Sequence, residues 1–130
     1  MNAPTRPIAF SPSNPETQPF WDAARAGRFM LRRCVTCDRA HWYPRAICPH
    51  CFTPDTVWVE ASGRGVVYSF SVMRRAPVPY VIAYVTLDEG PTMVTNIVDC
   101  ALDEVRIGMP VTLVWKASEG GPPMPMFTPR

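Results

Sequence analysis

The chain has 130 residues, of which 47% are hydrophobic and 18% are charged, and its formal net charge at pH 7 is +2. This balance is typical of a globular domain and excludes a wholly disordered chain. No apolar stretch approaches the ~20 residues of a membrane span, and residues 1–10 lack the apolar block of a signal peptide. We therefore expect a cytoplasmic protein.

The N-terminal quarter predicts an arm and then one helix. Residues 1–14 contain three prolines and little periodicity, which is typical of an extended or disordered arm. A helix is expected to begin near Asn14 or Thr17, because Asn14 can cap it and the proline that follows presets the backbone. Gly27 can end this helix in the left-handed conformation. Residues 29–31 then predict a short strand.

Four of the five cysteines form two CxxC pairs with ten residues between them. They are Cys34, Cys37, Cys48 and Cys51. Four thiolates bind Zn²⁺ in a closed tetrahedral shell that leaves no position for a substrate, so the spacing predicts a structural zinc site. Iron in a rubredoxin-like role is the alternative, because the two metals share this ligand geometry.

The other chemically competent side chains have simpler interpretations. His41 and His50 are expected to be packing or solvent-facing, because four cysteines already complete the metal shell. Cys100 is expected to be a half-buried structural thiol. Trp42 and Tyr43 lie between the cysteine pairs, where aromatic rings can shield thiolates from water. Without a nucleophile, phosphate-loop or HExxH motif, the chain alone is predicted not to be catalytic.

The second half of the chain has the alternation of β-strands. Val66, Tyr68, Phe70 and Val72 are predicted to share one face of a strand. Further strands are expected over residues 80–87, 92–98 and 111–115, followed by a tail with four prolines that cannot be a helix.

These elements predict a mostly β fold in two parts. An N-terminal helix and a zinc ribbon are expected over residues 15–56. A small closed barrel of the OB type is expected over residues 57–130, including the proline-rich tail.

An ordered series of short motifs resembles the DUF35 group and covers nearly the whole chain. The series consists of Phe20-Trp21-Asp22, the two cysteine pairs, Tyr43-Pro44-Arg45, residues 63–70, residues 75–80, residues 107–111 and residues 125–129. The resemblance implies a rubredoxin-like zinc ribbon followed by an OB-fold. Arg74, where the group has His, and Asp38, where Gly often follows the first pair, depart from the pattern without removing a metal ligand.

The resemblance also implies a function. Members of the group are accessory subunits that assemble with thiolase-superfamily enzymes, which include thiolases, acyltransferases and thiolase-fold aldolases of steroid side-chain degradation. Others join MaoC-type enoyl-CoA hydratases. The implied role is a non-catalytic subunit of an acyl-CoA-processing complex in lipid, steroid or aromatic degradation, which helps to assemble the complex and to bind the acyl-CoA.

Arginines are the candidate contacts for the phosphates of CoA, because guanidinium groups form bidentate hydrogen bonds to phosphate. Arg45, Arg74 and Arg75 are the first candidates, with Arg32 and Arg33 behind them. The alternative for each is a solvated side chain or an interface ion pair.

Two further alternatives remain open at this point. Zinc ribbons and OB barrels also bind nucleic acids, but residues 57–130 hold six basic and seven acidic groups, which disfavours a polyanion. The tail residues Met124, Met126 and Phe127 either pack across their own barrel or dock, with Phe20 and Trp21 of the helix, on a thiolase-like partner.

Overall fold

The fold is one helix and eight strands, as described by a computed structural model for residues 5–10 and 14–130. The elements are α1 (Gln18–Arg25), β1 (Met30–Cys34), β2 (Ala40–His41), β3 (Thr56–Glu60), β4 (Arg64–Met73), β5 (Tyr80–Leu87), β6 (Thr92–Ile97), a 3₁₀ turn (Leu102–Glu104), β7 (Pro110–Lys116) and β8 (Met124–Pro129). The predicted mostly β fold is confirmed. None of the described helices is long and apolar enough to cross a membrane.

The helix α1 begins and ends close to where its sequence predicts. Thr17 is the N-cap residue, and its backbone N–H donates to Oδ1 of Asn14 at 3.0 Å. Gly27 follows the C-cap with a φ of +75°, which an L side chain rarely adopts. Phe20 and Ala24, one turn apart, are buried and hold the helix against the rest of the chain.

The zinc ribbon is built on a three-stranded antiparallel sheet with the order β2-β1-β3. β3 pairs with β1 along its whole length, from Met30 opposite Glu60 to Cys34 opposite Thr56. β3 spans the predicted boundary between residues 56 and 57, and its strand pairing is with β1 of the ribbon. Alternation shows that a segment is a strand but does not show which sheet it joins.

The barrel closes in the order β4-β5-β6-β8-β7. Its neighbouring strands are antiparallel except β6 and β8, which run parallel. The interior is apolar and closely packed. Five of its residues each expose no more than 1% of their surface: Val67, Val81, Val85, Val111 and Phe127.

The prediction that Val66, Tyr68, Phe70 and Val72 share one face of β4 is wrong. The pairing with β5 shifts between Val67 and Ser69, so Tyr68 is an extra residue in a β-bulge. Because one added residue turns the following side chains to the opposite face, Val67 points inward before the bulge while Phe70 packs against the core after it. Val66 and Tyr68 therefore face outward.

The proline-rich tail forms β8, a strand of the barrel itself. Of the two interpretations of the tail, packing across its own barrel or docking on a partner, the structure shows the first. Phe127 is fully buried and Met126 is 6% exposed. The strand tolerates its prolines because it makes a full ladder with β7 only, and pairs with β6 at Ile97 opposite Phe127 alone.

Part of the predicted arm lies on the folded domain. Residues 5–10 have no helix or strand, in keeping with the prediction, but they make specific contacts. The Arg6 guanidinium lies 4.1 Å from the ring centre of Tyr80, and Phe10 meets Trp21 edge to face. The prediction for residues 1–4 and 11–13 falls outside the described residues.

Candidate metal centre and docking face

The four predicted metal ligands come together at one point of the ribbon. Their Sγ atoms lie within 4.8 Å of one another, with 3.5 Å between Cys34 and Cys51 and 3.7 Å between Cys37 and Cys48. In a tetrahedral Zn²⁺ site with Zn–S bonds of about 2.3 Å, the sulfur atoms lie about 3.8 Å apart. The sulfur–sulfur distances of this cluster therefore match those of a zinc site. The donor set is all sulfur and closed, which suits zinc and leaves no place for a substrate.

Backbone hydrogen bonds prepare these sulfur atoms for a cation. The N–H of Cys37 donates to Sγ of Cys34, and the N–H of His50 donates to Sγ of Cys48, each at 3.4 Å. Burial raises the pKa of Cys48, but backbone hydrogen bonds from Cys51 and His50, together with hydrogen bonds from the thiols of Cys37 and Cys34, lower that pKa to about 7. Burial and the neighbouring thiols instead raise the pKa of Cys37 to about 12.

The histidines are not part of the metal cluster. His41 is 3% exposed, and its Nε2 accepts the backbone N–H of Arg45 at 3.2 Å. Burial is the main cause that lowers its pKa. His50 is exposed. Cys100 is partly buried, and burial together with Glu104 and Asp99 raises its pKa, which fits a structural thiol.

The aromatic residues between the cysteine pairs serve a different purpose from the predicted shield. Trp42 packs against Phe20 at 5.2 Å and Phe29 at 5.9 Å between ring centres. Phe29 in turn meets Phe127 of the barrel core at 6.4 Å. The rings therefore join the helix, the ribbon and the barrel into one core.

The candidate arginines do not converge on one site. Arg45 is exposed and lines a cavity of about 440 Å³ beside the second cysteine pair. Arg74 is ion-paired with Asp103 at 3.1 Å, and Arg75 makes no side-chain hydrogen bond, ion pair or ring contact among the described residues. The contact of these arginines with CoA stays a prediction.

Arg32 and Arg33 have structural roles instead. Arg32 donates to the carbonyl of Thr56 and stacks on Trp58, with 4.4 Å between its guanidinium and the ring centre. Arg33 is ion-paired with Asp38.

The outer surface of β4, β5 and β6 carries an apolar patch that the sequence pattern did not predict. We call it the docking face. Its members are Val66, Tyr68, Ile82, Tyr84 and Val94, which are 37% to 66% exposed. Tyr84 and Val94 are directly opposite each other across β5 and β6. Exposed apolar side chains grouped in this way mark an interaction surface.

A groove continues the docking face towards the helix. This cavity of about 470 Å³ has walls from Ile82 and Val94 on one side and from Trp21, Tyr43 and Met124 on the other. Its aromatic and methionine side chains are types that are enriched at protein interfaces. Of the residues predicted to dock on a partner, Trp21 and Met124 border the groove, whereas Phe20 and Phe127 are fully buried.

None of the five side chains that define the docking face is charged, but Arg64 is exposed two positions before Val66 on the same face of β4. Tyr68 and Tyr84 could stack on bases, and single-stranded nucleic acid also requires cations that follow its backbone. The composition of the five members favours a protein surface over a nucleic acid.

Comparisons with known proteins agree with this geometry. The family model described as the ChsH2 rubredoxin-like zinc ribbon domain matches residues 21–57, and that of the ChsH2 C-terminal OB-fold domain matches residues 58–116. In structure, the chain is similar to the protein described as "Ltp2-ChsH2(DUF35) aldolase", with a TM-score of 0.82 and 38% identity over 92% of this chain and 98% of that one. The chain belongs to the DUF35 family.

Two relatives show the range of proteins in which DUF35 sequences occur. A probable enoyl-CoA hydratase alpha subunit of Thermomonospora curvata is 41% identical over 116 residues, which are 85% of this chain and 36% of that protein. A DUF35 domain-containing scaffold protein of Methanocaldococcus jannaschii is 38% identical over 91 residues, which are 65% of this chain and 64% of that protein. The chain thus spans about a third of the hydratase subunit and just under two thirds of the scaffold protein.

Proposed function

We propose that this DUF35 chain is a non-catalytic accessory subunit of an acyl-CoA-processing complex, with a thiolase-superfamily enzyme as its partner. The docking face carries the proposal. A surface of exposed tyrosine and branched aliphatic residues, uncharged at its centre, has the composition of an interface core. The similarity to an aldolase and to a scaffold protein supports the same role.

The metal centre has a structural part in this function. Zn²⁺ is the proposed ion, held by Cys34, Cys37, Cys48 and Cys51, because a closed tetrathiolate shell matches its preferred coordination. The ribbon then holds Trp42 and Tyr43 against the helix, and these residues form one wall of the groove. The pure chain is expected to turn over no acyl-CoA.

Affinity purification of the tagged chain from its native host tests the partner. Mass spectrometry should identify a thiolase-superfamily subunit in a stoichiometric amount. Recovery of an enoyl-CoA hydratase subunit instead, the class that the name of one relative gives, would keep the accessory role and overturn the thiolase partner. Recovery of neither class would overturn the whole proposal.

Substitution in the docking face tests its role. Tyr84→Glu should weaken the purified complex at least about tenfold, because it puts a charge at the centre of a desolvated interface. Val57→Glu is the matched control, since Val57 is a strand residue of similar exposure, 41% against 52%, in the ribbon. Equal affinity of the two variants for the partner would show that the docking face is not the interface.

A further inference from the structure

The barrel leaves one side of β6 largely without a partner strand. β6 pairs with β5 from Thr92 to Ile97, but with β8 only where Ile97 is opposite Phe127. The seam between β6 and β8 therefore closes at a single residue pair. A strand edge of this kind presents N–H and C=O groups with which another chain can pair.

The pairing with β5 identifies which backbone groups of β6 face the seam. Successive residues of an antiparallel strand direct their backbone groups alternately to the two sides. The N–H of Leu87 donates to the carbonyl of Pro91 at 2.9 Å, so Met93, two positions later, also bonds to β5. The N–H and C=O groups of Thr92 and Val94 therefore point away from β5. We call this side of residues 92–94 the free edge.

The prolines of the tail prevent β8 from covering the free edge. The N–H of Val98 donates to the carbonyl of Phe127 at 2.8 Å, which fits parallel strands in this register. Continued towards the start of β8, the same register requires the N–H groups of residues 125 and 123 as donors to the carbonyls of Val94 and Thr92. Both residues are proline and have no N–H.

The free edge borders two cavities. The groove is lined by residues 93–96 of β6, and a cavity of about 590 Å³ is lined by Thr92. Trp42 lines both, so the two cavities adjoin along the edge. The described part of the N-terminal arm lines neither of them, and Val94 is 50% exposed. The edge is thus accessible to a second chain.

We infer that the free edge binds an extended polypeptide segment, which adds a strand beside residues 92–94. Hydrogen bonds to the backbone of Thr92 and Val94 supply the affinity in this mode of recognition, and pockets for alternate side chains supply the selectivity. The groove lining contains no charged residue, so the segment places an apolar side chain beside Trp21 and Met124. The inference rests on the proposed function for the source of the segment, which is the partner enzyme.

Amide hydrogen exchange of the zinc-loaded chain tests whether the edge is free. The N–H of Val94 should exchange at least about tenfold faster than those of Met93 and Thr95, which bond to β5. Equal protection of the three amides would show that the edge is already covered and would overturn the inference. Protection of Val94 that appears together with a dimer at high concentration would assign the edge to a second copy and would also overturn it.

A random peptide library displayed on phage and selected on the same chain supplies the probe. Synthetic copies of the enriched peptides should bind with a Kd of about 0.1 mM or tighter. They should slow exchange of the Val94 N–H at least about tenfold, because that group becomes a donor to the added strand. The absence of enrichment, or peptides that leave this N–H unprotected, would refute strand addition.

Two proline substitutions in β8 assign the binding to the seam. Pro125→Ala supplies the N–H that the carbonyl of Val94 lacks, so β8 then competes with the peptide, whose affinity should fall at least about tenfold. Pro129→Ala is the matched control, because it lies in the same strand beyond the pair of Ile97 and Phe127. Equal affinity of the two variants would place the peptide elsewhere. If Pro125→Ala does not fold, protection of Val94 in the wild type decides the assignment.

These tests use the isolated chain, so their result is independent of partner capture. Strand addition by the peptides without a captured partner would retain the site and reject the accessory function. A captured partner that leaves the Val94 N–H unprotected in the complex would retain the accessory function and reject this mode of recognition.

Discussion

The ribbon and the barrel reach a fixed structure by different means. Between residues 30 and 60, the buried side chains are Leu31, His41, Pro44 and two of the metal-ligating cysteines. The barrel instead encloses an apolar interior from Val67 to Phe127, which the rings of Phe20, Phe29 and Trp42 connect to the ribbon. A segment as small as the ribbon buries too little apolar surface to offset its chain entropy, so four thiolates and a cation must supply the difference. The two regions should therefore fail under different perturbations.

Loss of the metal should have the largest effect, and it should begin in the ribbon. Cys48→Ala is expected to abolish zinc binding and to unfold residues 30–60, because the binding free energy of such a site is about 10 kcal/mol or more. Zinc content by mass spectrometry and backbone NMR would measure both. Cys100→Ala, which removes a thiol outside the cluster, should leave the zinc content unchanged. Wild-type protein without zinc, purified without chelators, would contradict the expectation.

A core truncation in the barrel should be costly without touching the metal. Phe127→Ala is expected to lower the free energy of unfolding by about 3–5 kcal/mol, because it leaves a cavity where a fully buried ring had been. The same truncation in the ribbon, Phe52→Ala, removes a ring that is 77% exposed and should change stability by no more than about 0.5 kcal/mol. Denaturant titration of both zinc-loaded variants measures the contrast. Similar losses would mean that the ribbon also depends on apolar burial.

The same contrast explains what the sequence could predict. Cysteine spacing is a local signal, so the convergence of the four thiols and the succession of helix, ribbon and barrel could be predicted. The outward orientation of Val66 and Tyr68 could not be predicted from the sequence. It depends on a β-bulge at Tyr68, which arises in the pairing of β4 with β5. β8 was not predicted as a strand because Pro125 and Pro129 disfavour one. The structure accepts these prolines because β8 makes a full ladder with β7 only and pairs with β6 at a single residue.

The docking face has the same origin. Tyr68 lies on β4 and Ile82 on β5, 14 positions apart in the chain. Their side chains share one outer face because of the pairing of β4 with β5 and the bulge in it, which no local pattern encodes. Functional surfaces of this barrel thus depend on tertiary structure, whereas that of the ribbon can be recognised from spacing alone.

Acid should destabilise the ribbon through His41 as well as through its thiolates. Burial lowers the pKa of His41 below its usual 6.5, so the unfolded chain binds the proton more readily than the folded one. The contribution of His41 to stability is therefore complete above about pH 6.5 and is lost as pH falls through the lower, folded pKa.

The free energy of unfolding, measured from pH 7.5 downward over the range in which zinc stays bound, should decrease with falling pH. His41→Asn keeps an acceptor for the Arg45 N–H and should flatten the slope below pH 6.5. His50→Asn makes the same change at an exposed position and is the control for the substitution itself. A steeper slope in His41→Asn would contradict the assigned direction.

The smallest expected effect is a difference in stability between glycine substitutions at the residues that follow the two cysteine pairs. Asp38 and Phe52 each follow the second cysteine of a pair, with φ of +59° and +65°, and each donates its N–H to the carbonyl of the first cysteine at 2.9 Å. A β-carbon in this left-handed region costs about 1 kcal/mol or more, and aspartate tolerates it better than bulky residues do. Phe52→Gly should therefore raise the free energy of unfolding by about 0.5–1 kcal/mol, since the exposed ring contributes little burial.

Asp38→Gly is the matched change at the equivalent position of the first pair. It should give a gain close to zero, because aspartate carries less strain there and the substitution also removes the exposed ion pair with Arg33. Denaturant titration of both zinc-loaded variants measures the difference. A loss of stability in Phe52→Gly would show that the ring of Phe52, despite its exposure, supports the ribbon beyond what the metal supplies.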